Sequence, residues 1–479
     1  MSRFQLHLKD IRPVPVYLGA GINEMLQFRD VDRDNEDSHL GSTLLGSLSK
    51  TWAARRGNLF LKMAAATIIV GFATGLAGMC LTLLLHFIQH IAFGYSTDVL
   101  VGPKSFLQGV EGATAVRRFL VVAGCGLVAG VGWAALYRWC RPLVSIAQMI
   151  KSSDQAMPIV ETVIHALLQI ATVALGSPLG REVAPREIGA LFANQLSRRI
   201  GLSAQESRIL VACGAGAGLA AVYNVPIAAT IFVLEVLLRS ARPAAIAIAF
   251  STCLVAALTA RLGLGDATQY AELSCPVEPS LVVWAVVFGP LMGAAGHSFK
   301  KAMLRAQSGT PRGLRMTLAS IAAFLFVGLL GIFFPELLGN GKGPAQLTFS
   351  EGLDPRLAIV LLTLKVTILA AVLKSGARGG LLTPGLAVGA LLATVLGSAW
   401  NLFLPHVSLG AAAIVGASAF LGSSMSMPVT AAVIVIELTH LPTGFVLPLA
   451  LAALGATITR KSFERHTLAL ATRSQVAGV

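Results

Sequence analysis

About ten stretches of this sequence are apolar over lengths near the ~20 helical residues that a hydrocarbon core demands. They fall at 60–94, 118–139, 157–176, 209–238, 243–262, 281–296, 314–334, 357–373, 380–404, 409–437 and 445–459. In lipid every backbone N–H and C=O must be paired within the protein, so only helices or closed barrels span, and runs this continuous are helical. The composition agrees, because 55% hydrophobic and 13% charged residues over 479 positions lie outside the range of soluble globular chains. Several runs are too long for one crossing or are interrupted by Gly and Pro. The expectation is an all-α polytopic membrane protein in which straight spans alternate with broken ones.

The flanks set orientation. The first 57 residues are charged and mixed (Asp30, Asp32, Arg33, Asp34, Glu36, Asp37) and contain no early apolar core, so no cleavable signal peptide is expected. Arg55 and Arg56 precede the first run, and Arg460, Lys461, Arg465 and Arg473 follow the last. The positive-inside rule then puts both termini in the cytoplasm, with an even number of full crossings. The formal charge of +14 is better explained by topology signals and anionic lipid than by attraction of a solute. No Lys/Arg block interleaved with aromatics points to nucleic acid. The six cysteines form no CxxC pair and the nine histidines no HxxxH or HExxH spacing, so packing roles are expected and no metal or cofactor. With no catalytic triad or phosphate loop, and no His or Asp beside the intramembrane acids in sequence, an enzyme is not expected.

The chain repeats itself. Gly214, Ala215, Ala217, Leu219, Pro226, Ala229 and Glu235 match Gly416, Ala417, Ala419, Leu421, Pro428, Ala431 and Glu437, each pair 202 positions apart. A loop at Gly180–Pro185 (GREVAP) answers one at Gly379–Pro384 (GGLLTP), 199 positions on. Generic small-residue helix packing explains the glycines and alanines but not the shared order. The implied organisation is a cytoplasmic segment 1–57, a membrane repeat 58–262, a connection 263–280, a second repeat 281–462 and a cytoplasmic tail 463–479.

A helix broken inside a membrane leaves unpaired N–H groups where it resumes, and the aligned peptide dipoles add partial positive charge. Two such ends aimed at one point make an anion site. Both loops have this form, the first resuming near Glu182 and the second after Gly380. A carboxylate within the membrane marks function by default. At a helix N-terminus, Glu182 occupies the place of an anion and can act as a tethered competitor that leaves when protonated. Arg181 beside it offers either electrostatic influence or a structural ion pair.

At these residues the sequence resembles the CLC family of chloride channels and chloride/proton antiporters. Gly180, Arg181 and Glu182 are similar to the start of the family's GREGP motif, and Ser375-Gly376 with Gly380–Pro384 to its Ser-Gly-led GxFxP motif. Asn224 to Glu235 and Pro428 to Thr439 resemble its two Pro-started, Glu-containing helices. The resemblance covers most of 58–462. It implies two inverted-topology halves of tilted and re-entrant helices, and a homodimer with one pore per subunit, with 213–238 and 409–437 at the dimer face. It further implies transport of chloride, or of fluoride or nitrate, either coupled to protons or as a proton-gated passive channel, in a bacterial inner membrane. Glu182 matches the gating glutamate. The amides of Leu381 and Leu382 match those holding the central anion, with Gly380 beside them, while Gly180, Arg181 and Val183 line the outer site around Glu182.

The chain departs from the family in four places. Where a GSGIP-like loop is expected it reads PLVSIAQM, leaving Ser145 as the available hydroxyl. Val183 and Ala184 stand where Gly and Pro are usual. The internal glutamate of antiporters falls on Gln205, with Glu206 adjacent as a possible proton path. The central tyrosine near the C-terminal helix has no counterpart, since the last tyrosine is Tyr270.

Overall fold

The structure, a computed structural model, describes residues 38–96, 100–102, 104–152, 156–266, 268–270 and 276–477, with side chains between 59 and 467. The acidic cluster from Asp30 to Asp37 and Cys275 lie outside the described residues, as do the side chains of Arg55, Arg56 and Arg473. The chain divides into two compact units, 1–61 and 62–479. In the first the described part is a helix from Ser38 onward, and all later helices belong to the second.

The first half of the membrane region contains α1 (Ser38–Phe93), α2 (Phe106–Gly112), α3 (Ala115–Trp139), α4 (Ile146–Lys151), α5 (Ile159–Ala174), α6 (Val183–Arg199), α7 (Ala204–Tyr223), α8 (Pro226–Phe232) and α9 (Pro243–Leu264). The second contains α10 (Pro279–Ser308), α11 (Leu314–Phe333), α12 (Lys342–Phe349), α13 (Pro355–Ser375), α14 (Leu382–Trp400), α15 (Leu409–Met425), α16 (Pro428–Thr439) and α17 (Val446–Ala477). Among the described residues, eight helices are long and apolar enough to cross a membrane: α1, α3, α9, α10, α11, α13, α14 and the first part of α17. The connection expected at 263–280 is the segment between Leu264 and Pro279, whereas α17 continues as helix where a tail was expected from 463.

The runs 209–238 and 409–437, too long for one crossing, each divide in the same way. α7 ends on Asn224 and α15 on Ser426, both left-handed at φ 57° and 59°, and the next helix starts with proline at its first position. Proline cannot donate the amide that a continuing helix needs, but it suits a helix start. α8 then passes into a π-helical turn, Val233–Leu238, ending on left-handed Arg239. α16 stays α-helical to left-handed His440. Counting from the proline, the first copy is one residue longer than the second, which is what a π-turn accommodates.

α7 and α15 form the interior. Leu210–Tyr223 and Gly410–Ser424 are buried without exception, as expected for helices apolar on every face. Close backbone approach makes this possible: a Cβ on Gly189 of α6 would strike the Gly214 carbonyl of α7, and one on Gly293 of α10 would meet Ala456 of α17 at 2.5 Å. Lipid offers no hydrophobic drive between helices, so such packing carries much of the association. Because these residues of α7 and α15 are enclosed within the chain, the exposed members of the segments assigned to a dimer face lie on α8 and α16, with Ile227 51% and Val429 55% exposed.

The two halves run in opposite senses. α9 ends and α10 begins at one face, where Asn224 at the end of α7 bonds Arg261 and Asp266 at 2.8 Å each. Ser426 at the end of α15 instead receives Lys300 Nζ at 2.8 Å, roughly 30 Å further along α10 at 1.5 Å per residue. The matched helices α7 and α15 therefore finish at opposite faces. Charge follows the same division. Basic residues predominate at one end of the spans, where Arg138, Arg141, Lys151, Arg198, Arg199, Arg239, Arg242, Lys301, Arg305, Arg312 and Lys461 outnumber Glu161, Glu206 and Glu464, whereas at the other end Glu111, Asp266, Glu278, Glu336, Glu351 and Asp354 stand with Arg117, Arg118, Arg261 and Arg356. The basic end is the cytoplasmic one by the positive-inside rule.

Reciprocal caps lock the halves together. The carboxylate of Glu235 accepts from Val429 N (3.1 Å), Thr430 N (2.8 Å) and the Thr430 hydroxyl (2.6 Å). That of Glu437 accepts from Ile227 N (3.1 Å) and Ala228 N (2.6 Å). Each repeat's glutamate thus satisfies the orphan amides at the start of the other's Pro-led helix, where the dipole favours negative charge.

Candidate functional site

The second point where the halves meet is the pair of glycine breaks. α5 and α13 both stop at a glycine in the left-handed region, Gly176 (φ 96°) and Gly376 (φ 111°), which turns the chain without the Cβ clash another residue would suffer. Four residues on, Gly180 N donates to Gly380 O at 2.8 Å and Gly380 N to Gly180 O at 2.9 Å, an antiparallel bridge. These glycines are 200 positions apart, whereas α6 and α14, starting at Val183 and Leu382, are 199 apart. The first half therefore carries one additional residue between bridge and helix, in the stretch that bears Glu182.

Glu182 sits at the N-cap of α6 and is 1% exposed. Its side chain turns across to the other half, where Oε1 accepts from Leu382 N at 2.7 Å, the first amide of α14. Oε2 accepts from the Tyr223 hydroxyl at 3.2 Å, and that hydroxyl lies 2.8 Å from Thr383 Oγ1. A Cβ on either Gly180 or Gly380 would collide with the carboxylate. The carboxylate is thus held over the bridged glycines, between the starts of two helices whose dipoles both favour an anion there. A charge-assisted bond to a helix-start amide is the contact that a bound anion would make in its place.

Tyr223 and Thr383 were not anticipated. A tyrosine hydroxyl does reach the site, but from the end of α7 in the first half, immediately before Asn224. Arg181, considered as an ion-pair partner, does not bond Glu182 in the structure. Its guanidinium donates to Val222 O at 3.3 Å and Gln269 Oε1 at 3.5 Å, and lies over the Tyr223 ring, 5.3 Å from its centroid. It holds the tyrosine from behind. Lys365 of α13, fully buried, donates to Leu337 O (2.9 Å) and Gly339 O (2.7 Å). Next along that turn is Gly341, where a Cβ would lie 3.5 Å from Thr383 O, so the Lys365 amine ties down the turn that backs the α14 start.

The remaining expected residues fall in two groups. Gly180, Arg181, Val183, Gly380, Leu381 and Leu382 all lie at the bridge or the two helix starts. Among the described residues, Ser145, Gln205 and Glu206 do not join them by any hydrogen bond. Ser145 is exposed and caps α4 through a reciprocal box with Gln148, at 2.8 and 3.2 Å. Glu206 does the same for α7, accepting from Ser203 N at 2.8 Å, and the neighbouring Gln205 is exposed.

Comparison with known proteins places this arrangement. Residues 125–461 match the family model described as voltage gated chloride channel. The chain is 29% identical over 418 residues to the H(+)/Cl(-) exchange transporter ClcA of Salmonella arizonae, covering 81% of this chain and 83% of that protein. The ClcA of Salmonella paratyphi B is 28% identical over the same shares. Among solved structures, a slow cyanobacterial Cl-/H+ antiporter aligns with a TM-score of 0.70 at 20% identity, over 84% of this chain and 95% of that one. A CLC-type fluoride/proton antiporter gives 0.60 at 20% identity, over 83% and 96%. At this identity the structural likeness establishes the fold.

Proposed function

The chain belongs to the voltage-gated chloride channel family, and on that premise we propose that it exchanges chloride for protons across a bacterial inner membrane, with Glu182 as the gate. One observation carries the reading: the Glu182 carboxylate takes the Leu382 amide at 2.7 Å between two opposed half-helix starts. An ionised Glu182 and a chloride ion compete for the same N–H. Protonation neutralises the carboxylate, weakens its hold on that amide and on the positive helix ends, and lets it swing away so that chloride can enter. Each cycle of entry and release then carries a proton on Glu182. Leu381, Leu382 and Gly380 contribute backbone to the inner anion position, and Gly180, Arg181 and Val183 to the outer one. This mechanism assigns no role to Ser145, whose hydroxyl caps α4. The functional unit is a homodimer with a separate pathway in each subunit, joined through α8 and α16.

Purified protein in liposomes, with chloride and pH electrodes run together, tests the proposal. Downhill chloride movement should drive uphill proton movement, and the reversal potential should shift with a pH gradient at fixed chloride gradient. A reversal potential that follows chloride alone would establish a passive channel instead. The same assay with nitrate and fluoride ranks the anions.

A further inference from the structure

The sequence sets no His or Asp beside an intramembrane acid, yet the fold supplies one. Glu187 on α6 and His165 on α5 meet with Nδ1 2.8 Å from Oε2, their side chains 18% and 8% exposed. Gln169, wholly buried, closes the group, its Nε2 2.9 Å from the imidazole and 3.1 Å from the carboxylate. The cation next along α6, Arg186, lies over the ring of Phe232, 4.5 Å from its centroid, and interacts electrostatically with both Glu182 and Glu187 without a hydrogen bond to either. Among the described residues the pair's hydrogen bonds run only to a neutral amide and within the pair itself.

Its place in the fold is what gives it meaning. α5 runs from the basic face to the glycine break and α6 runs back, so the order from the centre outward is Glu182, Gln169, the His165–Glu187 pair, then Asn194. Two of these carry a buried polar atom with no partner among the described residues, Gln169 Oε1 on the Glu182 side and Asn194 Nδ2 on the cytoplasmic side. Asn194 Oδ1 is already taken by Met157 N at 3.0 Å. Orphaned amide atoms on both sides of a titratable pair are the lining that ordered water requires.

We propose that His165 and Glu187 are the internal proton-loading residues of this transporter, doing on α5 and α6 what Gln205 and Glu206 do not. The inference rests on the exchange reading of Glu182. A proton from the cytoplasm reaches the pair past Asn194. It leaves the pair for the Glu182 carboxylate through water held at Gln169, and the emptied pair takes up the next proton. One proton is lost by the pair for each one Glu182 gains, and no other reactant is needed.

The test uses full-length protein in liposomes, recording chloride efflux and proton uptake together. Glu187→Gln, which keeps the side chain's shape, and His165→Gln should each still pass chloride while protons moved per chloride fall tenfold or more. Glu187→Asp should recover most of the coupling. A wild-type proton-to-chloride ratio in both glutamine variants overturns the proposal, and so does parallel loss of chloride and proton movement, which marks a purely structural pair. If unmodified protein moves no protons, the exchange reading fails first and the relay with it, and that result is distinct from either variant outcome.

Discussion

Glu182 is held by one backbone amide and one tyrosine hydroxyl, so small changes around it should be felt in transport while leaving the fold intact. Removing the Tyr223 hydroxyl takes away a bond of about 1 kcal/mol, roughly a fivefold change in occupancy of the closed position. Tyr223→Phe should therefore raise chloride flux at neutral pH by up to about fivefold, read as initial efflux from liposomes. Gly380→Ala goes further, because its new Cβ must displace the carboxylate. Its flux should become less dependent on acid and approach that of Glu182→Ala. Glu182→Gln itself should retain chloride movement, lose proton movement and lose the acceleration at low pH; unchanged pH dependence would remove the gate assignment. The position of Glu182 and the helix starts were legible in the sequence because they lie in short motifs. Tyr223, Thr383 and the His165–Glu187 pair were not, since their partners are separated by 41, 160 and 22 positions. No local pattern encodes such meetings.

At the level of elements, the repeat announced itself by its fixed spacing, but the use to which the repeated glutamates are put did not. Each sits nine positions after its proline, and spacing alone suggests that each serves its own helix. The structure exchanges them, Glu235 capping α16 and Glu437 capping α8. Charge-assisted bonds of this kind contribute about 1.5–3 kcal/mol where one partner is ionised. Glu437→Ala should lower stability by about 3 kcal/mol through two lost caps, visible as a lower unfolding temperature in detergent. Glu235→Ala should match or slightly exceed it because of the additional Thr430 hydroxyl. The two changes share one contact between α8 and α16, so the double variant should lose less than their sum. A sum that is fully additive would mean that the caps act independently. The π-turn after α8 was equally hidden, since it preserves the proline-to-glutamate spacing and adds its residue only afterwards.

For the whole molecule, the opposed directions of α7 and α15 require that cysteines placed at Asn224 and Ser426 be labelled from opposite faces of the membrane; labelling of both from one face would overturn the inverted arrangement. If the proposed dimer is joined through α8 and α16, Ile227→Trp with Val429→Trp is the change expected to yield a folded monomer by light scattering in detergent. The exchanged caps also bear on how the protein is made. At the usual ~5–20 residues per second of synthesis, the 202 positions between matched residues correspond to roughly 10–40 s. For that interval the first half waits in the bilayer with the Glu235 carboxylate and the Ile227 and Ala228 amides unmet. A nascent chain cut short after α9 therefore has no way to finish folding and should be cleared by membrane proteases, whereas co-expression of the missing half as a separate polypeptide should rescue it.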